Sequence, residues 1–195
     1  MDKRIKLIEL EKQISSCRRC LLYKTATQAV PGEGSPDAKI MFVGEGPGFW
    51  EDKKGRPFVG QAGKLLDDLL QLIKVRREDV WIGNMVKHRP PGNRDPLPDE
   101  IKACSIWLDK QIEIINPKII VTLGRFSMAK FLPETKISQV HGKSFVINLK
   151  QQKIKIIPMF HPAAGLRSGE ILKALKEDFQ KLKQSLLLRN KNEIS

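Results

Sequence analysis

Paired cysteines, an amide closing an apolar run and histidines set among prolines are the residues of this chain whose types and spacing suit chemistry. Cys17 and Cys20 form a C-x-x-C pair, a common half of a metal site. Cys104 falls on an apolar helical stripe, so it reads either as a further ligand or as a small core residue. His88 lies in "VKHRPPGNRDP" (86–96), where it could touch nucleic acid, bind a metal or do neither. Asn84 ends an apolar run, where its amide needs partners for both donor and acceptor. Held in one orientation, such an amide distinguishes uracil (N3–H donor beside O4 acceptor) from cytosine, where the roles reverse; tying a loop backbone is the competing role. His161, in "FHPAAGLR", is held extended by Pro162 and could donate to a carbonyl oxygen that gains charge as a bond breaks, or serve only as a structural hydrogen-bonding group. Phe58, in "GRPFVGQAG", either offers a stacking face to a base or staples the following helix.

These residues need a scaffold that brings loops together. Four nearly continuous apolar runs, at 38–45, 79–86, 117–124 and 153–160, suit strands buried on both faces of a parallel sheet. Between them, Leu65, Leu66, Leu69, Leu70 and Ile73 keep helical spacing, as do Ile101, Cys104, Leu108, Ile112 and Ile115. Leu172, Leu175, Phe179, Leu182 and Leu186 form a third stripe, and Leu7, Leu10 and Ile14 mark a leading helix. Alternating strands and helices predict an α/β fold, with ligands beyond the carboxyl ends of the strands. The loops at those ends hold "GEGPGFWED", "KHRPPGNR", "GRFS" and "HPAAGLR". A hairpin turning at 150–152 would add an edge strand.

With 195 residues the chain suits a single domain, 1–195, with 190–195 frayed. A formal charge of +13 favours a polyanionic partner, nucleic acid first. The glycines of "GEGPG" match neither the dinucleotide fingerprint nor a Walker loop, so a nicotinamide or nucleoside triphosphate site is poorly supported. An early signal segment and a membrane-length apolar run are both lacking, and three cysteines make an odd number, so a cytoplasmic protein without a disulfide framework is expected.

Taken together, "GEGPGFWED", "GRPFVGQAG", "NMVKHRPPGNRDP" and "HP" resemble, in order, the motifs of the family 4 uracil-DNA glycosylases, the iron–sulfur branch of that superfamily. The resemblance runs from Cys17 to the C-terminal helix. It implies a three-layer fold with a central, mostly parallel four-stranded sheet flanked by helices. It also implies hydrolysis of the N-glycosidic bond of uracil in single- or double-stranded DNA, leaving an abasic site, by a monomer acting on DNA of the prokaryotic nucleoid. By that likeness Phe58 is the stacking platform, Asn84 reads uracil and His161 donates to uracil O2. The backbone at Glu45 and Gly46 binds the same oxygen region, and Glu51 lies beside uracil C5, where thymine has its methyl group. Relatives with a water-activating aspartate carry it where this chain has Gly46, which leaves Glu45 as the candidate for assisting water or steadying the sugar cation.

Leu166 and Arg167 are expected to fill the gap left by the target base or hold flanking phosphates, and Lys87, Arg89 and Arg94 to contact phosphate. In the family a [4Fe–4S] cluster is held by a C-x-x-C pair, a Cys in a "KCRPP" loop and a Cys on the next helix. Here the corresponding set is Cys17, Cys20, His88 and Cys104, with His88 as the departure; three cysteines and one histidine would equally suit zinc. A branch that captures uracil-DNA covalently also has "KH" here but adds a basic loop with the reactive histidine. "RPPGNRDP" stands in its place, so turnover is predicted. A non-turnover uracil-DNA binder and a redox-responsive nucleic-acid module are the competing readings.

Overall fold

The computed structural model describes the backbone of residues 2–149 and 152–192, and side chains through residue 186. In chain order, α1 (Lys3–Ser15) precedes β1 (Glu33–Gly34), β2 (Ile40–Gly44), α2 (Phe49–Lys54), α3 (Gln61–Leu72), β3 (Trp81–Asn84) and α4 (Pro98–Ile115). Then come β4 (Ile119–Leu123), α5 (Arg125–Ala129), α6 (Ile137–Val140), β5 (Phe145–Leu149), β6 (Gln152–Met159), α7 (Pro162–Gly165) and α8 (Gly169–Asn192).

One sheet runs in the order β1-β3-β2-β4-β6-β5. The four inner strands are parallel, as their apolar runs predict, while β1 and β5 add antiparallel edges. The sheet therefore has six strands and not four. β1 is two residues long and half polar, so no apolar run announces it. β5 pairs with β6 as the expected hairpin, although the turn residues 150 and 151 lie outside the described residues. Of the stretch expected to fray, 190–192 continue the α8 backbone and 193–195 lie outside the described residues.

Alternation along the strands produces the layers. Ile40 and Phe42 of β2, with Val121 and Ile157, face the layer of α3 and α8, where Leu66, Leu69, Leu175 and Phe179 meet them. Met41 and Val43 turn the other way, with Ile120 and Ile156, onto Leu7 of α1 and Leu108 and Ile112 of α4. Phe179 stacks on Phe42 with ring centroids 5.9 Å apart, and truncating such a core aromatic to alanine costs about 3–5 kcal/mol. Helix α4 is fixed at both ends. Pro98 opens it, Glu100 accepts from the Leu97 N–H at 2.8 Å, and Asn116 closes it in the left-handed conformation at φ 56°. Among the described residues, no helix is long and apolar enough to cross a membrane.

The chain leaves β2 for β3 on one side and, after α4, returns to β4 on the other, so strand order reverses between β2 and β4. A crevice at such a switch point is where an open α/β sheet binds ligands. The carboxyl ends of β2, β3, β4 and β6 open toward it at Gly44, Asn84, Leu123 and Met159.

Candidate active site

A cavity of about 320 Å³ lies at these strand ends, and Glu45, Gly46, Glu51, Phe58, Asn84 and His161 all line it. Arg94 and Arg167 reach its rim. A larger depression of about 640 Å³ between α1 and β1 holds none of them, so size does not mark the site.

Asn84 ends β3 directly opposite Gly44 and is 2% exposed. Its Oδ1 is buried and has no hydrogen-bond partner among the described residues. Leaving such an acceptor unpaired costs roughly 1–3 kcal/mol, an expense that a ligand presenting an N–H would remove. Gly44 makes the arrangement possible. A Cβ there would stand 2.4 Å from Asn84 Oδ1 and 2.7 Å from Phe58 Cζ, so both side chains lie against bare backbone. The first glycine of "GEGPG" thus makes room for two neighbouring side chains, a role its sequence alone did not reveal.

Phe58 belongs to the core cluster and also forms a wall of the cavity. Its backbone is left-handed at φ 49°, which is unusual for a bulky residue and must be held by its surroundings. Glu51 does much of this. Its Oε1 accepts the N–H groups of Val59 at 2.9 Å and Gly60 at 3.0 Å, clamping the turn after Phe58. From the other side Gly63 lets α3 approach the Phe58 carbonyl, where a Cβ would be 1.9 Å from the oxygen.

The Phe58 ring stacks against His161 with centroids 5.6 Å apart. His161 Nδ1 accepts the Ala163 N–H at 3.1 Å. Burial pushes the imidazole down to about 4, against the pull of Glu51 and helped by Arg167. At neutral pH the ring is therefore neutral, and with Nδ1 accepting, the proton sits on Nε2.

Glu45 leaves β2 and crosses the switch-point crevice, where its Oε1 accepts the Phe126 N–H at 3.1 Å. Burial raises its pKa; the Phe126 bond opposes this and Asp95 adds to it. Gly124, at φ 103°, accommodates the carboxylate, since a Cβ there would meet Oε1 at 2.3 Å. Gly46 has no comparable space, because a Cβ would lie 2.8 Å from Val86 Cγ2. A carboxylate at that position would displace the Val86 and Pro90 packing.

The expected phosphate contacts divide. Lys87 is a correction: it is 0% exposed, and its ammonium donates to the Asn84 carbonyl at 3.0 Å and Gln111 Oε1 at 2.7 Å. The buried run of β3 continues through Met85 and Val86, carrying Lys87 inward, and burial lowers its pKa to about 8. Arg94 is exposed but bonded twice to Glu100, at 2.9 and 2.6 Å. Half-buried Arg89 donates to Asn93 at 2.6 Å and lies over the Phe49 ring. Leu166 and Arg167 are exposed at the end of α7.

On the other side of the β3 loop, Cys17, Cys20 and Cys104 share one apolar cluster with Val86 and Trp107. Trp107 Nε1–H donates to Cys17 Sγ at 3.2 Å, and the Lys87 backbone N–H donates to Cys104 Sγ at 3.2 Å. His88 is 6% exposed; burial lowers its pKa, with Asp52 opposing. Among the described residues, no three His, Cys, Asp or Glu side chains converge on a single-ion site. His88 does not line the cavity.

Residues 31–186 match the Uracil DNA glycosylase superfamily. The chain is 50% identical over 184 residues to a type-4 uracil-DNA glycosylase of Sulfurisphaera tokodaii, covering 91% of this chain and 84% of that protein. It is 47% identical over 182 residues to the type-4 uracil-DNA glycosylase of Archaeoglobus fulgidus, covering 90% and 91%. With the Thermotoga maritima enzyme of the same name it shares 46% over 186 residues, covering 94% and 96%. Joined to a cavity built at the switch point of a six-stranded α/β sheet, these matches establish that the chain belongs to the uracil-DNA glycosylase superfamily and, within it, to the type-4 group.

Proposed function

We propose that this protein is a DNA-repair glycosylase that hydrolyses the N-glycosidic bond of deoxyuridine in DNA, working as a monomer in the cytoplasm. The observation that carries the reading is the unpaired Oδ1 of Asn84, a residue that lines the same cavity as the neutral His161. Uracil presents what these groups lack: N3–H for Asn84 Oδ1, O4 for the amide N–H, and O2 for His161 Nε2–H.

The target base leaves the stack at a cost of a few kcal/mol, less in a single strand, and lies against Phe58. As the C1′–N1 bond breaks, its electron pair moves into the uracil ring and negative charge grows at O2. His161 donates to that oxygen without giving up its proton, and the backbone at Glu45 and Gly46 supports the same region. Stabilisation that strengthens as charge develops lowers the barrier more than tight ground-state binding does. Glu45 steadies the sugar cation and orients the water whose oxygen bonds to C1′ and whose proton is released. Glu51 holds the Phe58 turn and borders the place of a 5-methyl group. Arg167 and Arg89 face phosphate, and Leu166 fills the vacated stack.

Cys17, Cys20 and Cys104, with His88 in the fourth position, would hold a [4Fe–4S] cluster. Two observations fit it: N–H groups point at the sulfurs of Cys17 and Cys104, and all three cysteines share one apolar cluster. Burial lowers the His88 pKa, which favours the neutral imidazole that ligates metals. With a cluster bound, Cys17, Cys20, His88 and Cys104 would tie the segment after α1, the β3 loop and α4 together.

Incubation with a uracil-containing oligonucleotide followed by hot alkali tests the reading. Scission at the uracil position is expected. A denaturation-resistant protein–DNA adduct would point instead to covalent capture, and an intact, unmodified strand to a binding module.

A further inference from the structure

Two large aromatic side chains stand in solvent beside the cavity, and the chemistry above does not use them. Phe49 is 43% exposed and Trp50 is 56% exposed, in a short helix where Asp52 is the buried residue. The two rings meet edge to face with centroids 5.2 Å apart. Large exposed aromatics cost solubility, so a contiguous pair needs a partner to explain it.

The position identifies that partner. Gly48 and Glu51, which bracket the pair in sequence, both line the cavity. Trp50 also abuts the Phe58 turn, where a Cβ on Gly60 would stand 3.5 Å from Trp50 Cδ1. The aromatic surface is therefore continuous with the rim over which a DNA strand must pass to deliver one base inward. Its electrostatics fit the same strand. The Arg89 guanidinium lies 5.1 Å and the Lys53 ammonium 5.9 Å from the Phe49 ring centroid, so cations border both the rings and the path of a phosphate backbone. An apolar protein partner would have to desolvate those charges, whereas a polyanion with π-faced bases uses rings and charges together.

We propose that Phe49 and Trp50 form a stacking platform for an unstacked nucleobase next to the target nucleotide, favouring uracil in single-stranded or frayed DNA. This rests on the glycosylase reading, because it places the neighbouring base by reference to an occupied uracil cavity. Stacking of one base on an aromatic side chain corresponds to roughly 5- to 150-fold in affinity.

The test compares wild type, Trp50→Ala and Trp50→Phe on single strands containing 2′-fluoro-deoxyuridine, whose glycosidic bond resists cleavage. In one strand both neighbours of the uridine carry bases; in the other both are abasic spacers. Trp50→Ala should bind the base-bearing strand about tenfold more weakly than wild type and the spacer strand equally well, with Trp50→Phe restoring most of the difference. Trp81 and Trp107 are each 7% exposed, so quenching of tryptophan fluorescence by the base-bearing strand should disappear largely in Trp50→Phe. Equal binding of both strands by wild type and Trp50→Ala would overturn the platform, as would an equal loss on both strands. Wild-type excision from an ordinary uracil oligonucleotide is measured alongside. If it is absent, the glycosylase reading fails; if it is present while the strands behave alike, only the platform fails.

Discussion

Asn84, Lys87 and His161 separate what a residue's type reveals from what its direction decides. Asn84 and His161 were legible as candidates because polar groups at the ends of apolar runs need partners, and both do line the cavity. Lys87 was not, since sequence records its charge and not the inward course of its side chain. Its ammonium supports the Asn84 carbonyl. Lys87→Met should therefore lower uracil excision about 10²-fold while leaving the salt dependence of DNA binding unchanged, measurable by single-turnover rates and binding from low to moderate salt. At the opposite strand end, Gly44→Ala should cost about the same factor, because the added methyl collides with Asn84 and Phe58. For His161, imidazole nitrogen shifts at pH 7 should show a proton on Nε2 and none on Nδ1. Its folded pKa of about 4 lies below the unfolded value, so as pH falls from about 6.5 toward 4 the unfolded chain takes the proton first and stability drops. Urea denaturation at pH 7 and pH 5 should show His161→Gln losing less stability than wild type, by about 1 kcal/mol for a site partly open to solvent.

Elements were legible where hydrophobic period is strong and obscure where backbone pairing acts alone. The inner strands and the stripes of α3, α4 and α8 follow from their apolar spacing, whereas β1 joins the sheet by pairing Glu33 with Ile82 and Gly34 with Trp81, a match no local pattern encodes. The Phe58 turn is similar: its left-handed residue depends on Glu51, seven positions earlier in the chain, and on the bare backbone of Gly63. Glu51→Ala should loosen that turn and weaken uracil binding and catalysis together. The β3 loop joins the cavity at the strand ends to the three cysteines through Lys87, whose side chain supports Asn84 and whose N–H meets Cys104. For the metal, protein prepared without oxygen should be coloured and contain about four irons per chain. His88→Cys should keep them and His88→Ala should lose most of them. Colourless protein with one zinc per chain, or equal iron in all three, would remove the cluster or the His88 ligand from the account.

At the scale of the whole molecule, the chain carries a formal charge of +13, while Glu45 and Glu51 in the cavity each accept backbone N–H groups. In the proposed reaction the field would gather DNA and the cavity would select the base. Arg167→Ala should reduce the salt slope of binding by about 0.7 on single strands or 0.9 on duplex. The basic excess and the α/β pattern made a nucleic-acid partner and a strand-end site readable from composition and period. The way β2 and β4 diverge to form the crevice came only from the order of strands in space. In the proposed function the crevice hydrolyses uracil from DNA and then releases its products. Its most direct measurement is free uracil released from excess uracil-containing single strand by wild type, Asn84→Ala and His161→Gln. Wild type should release several equivalents of uracil per enzyme and leave alkali-labile sites in equal number, and each variant should be at least about 10²-fold slower. No release by wild type, or release that stops at one equivalent with protein bound covalently to DNA, would contradict it.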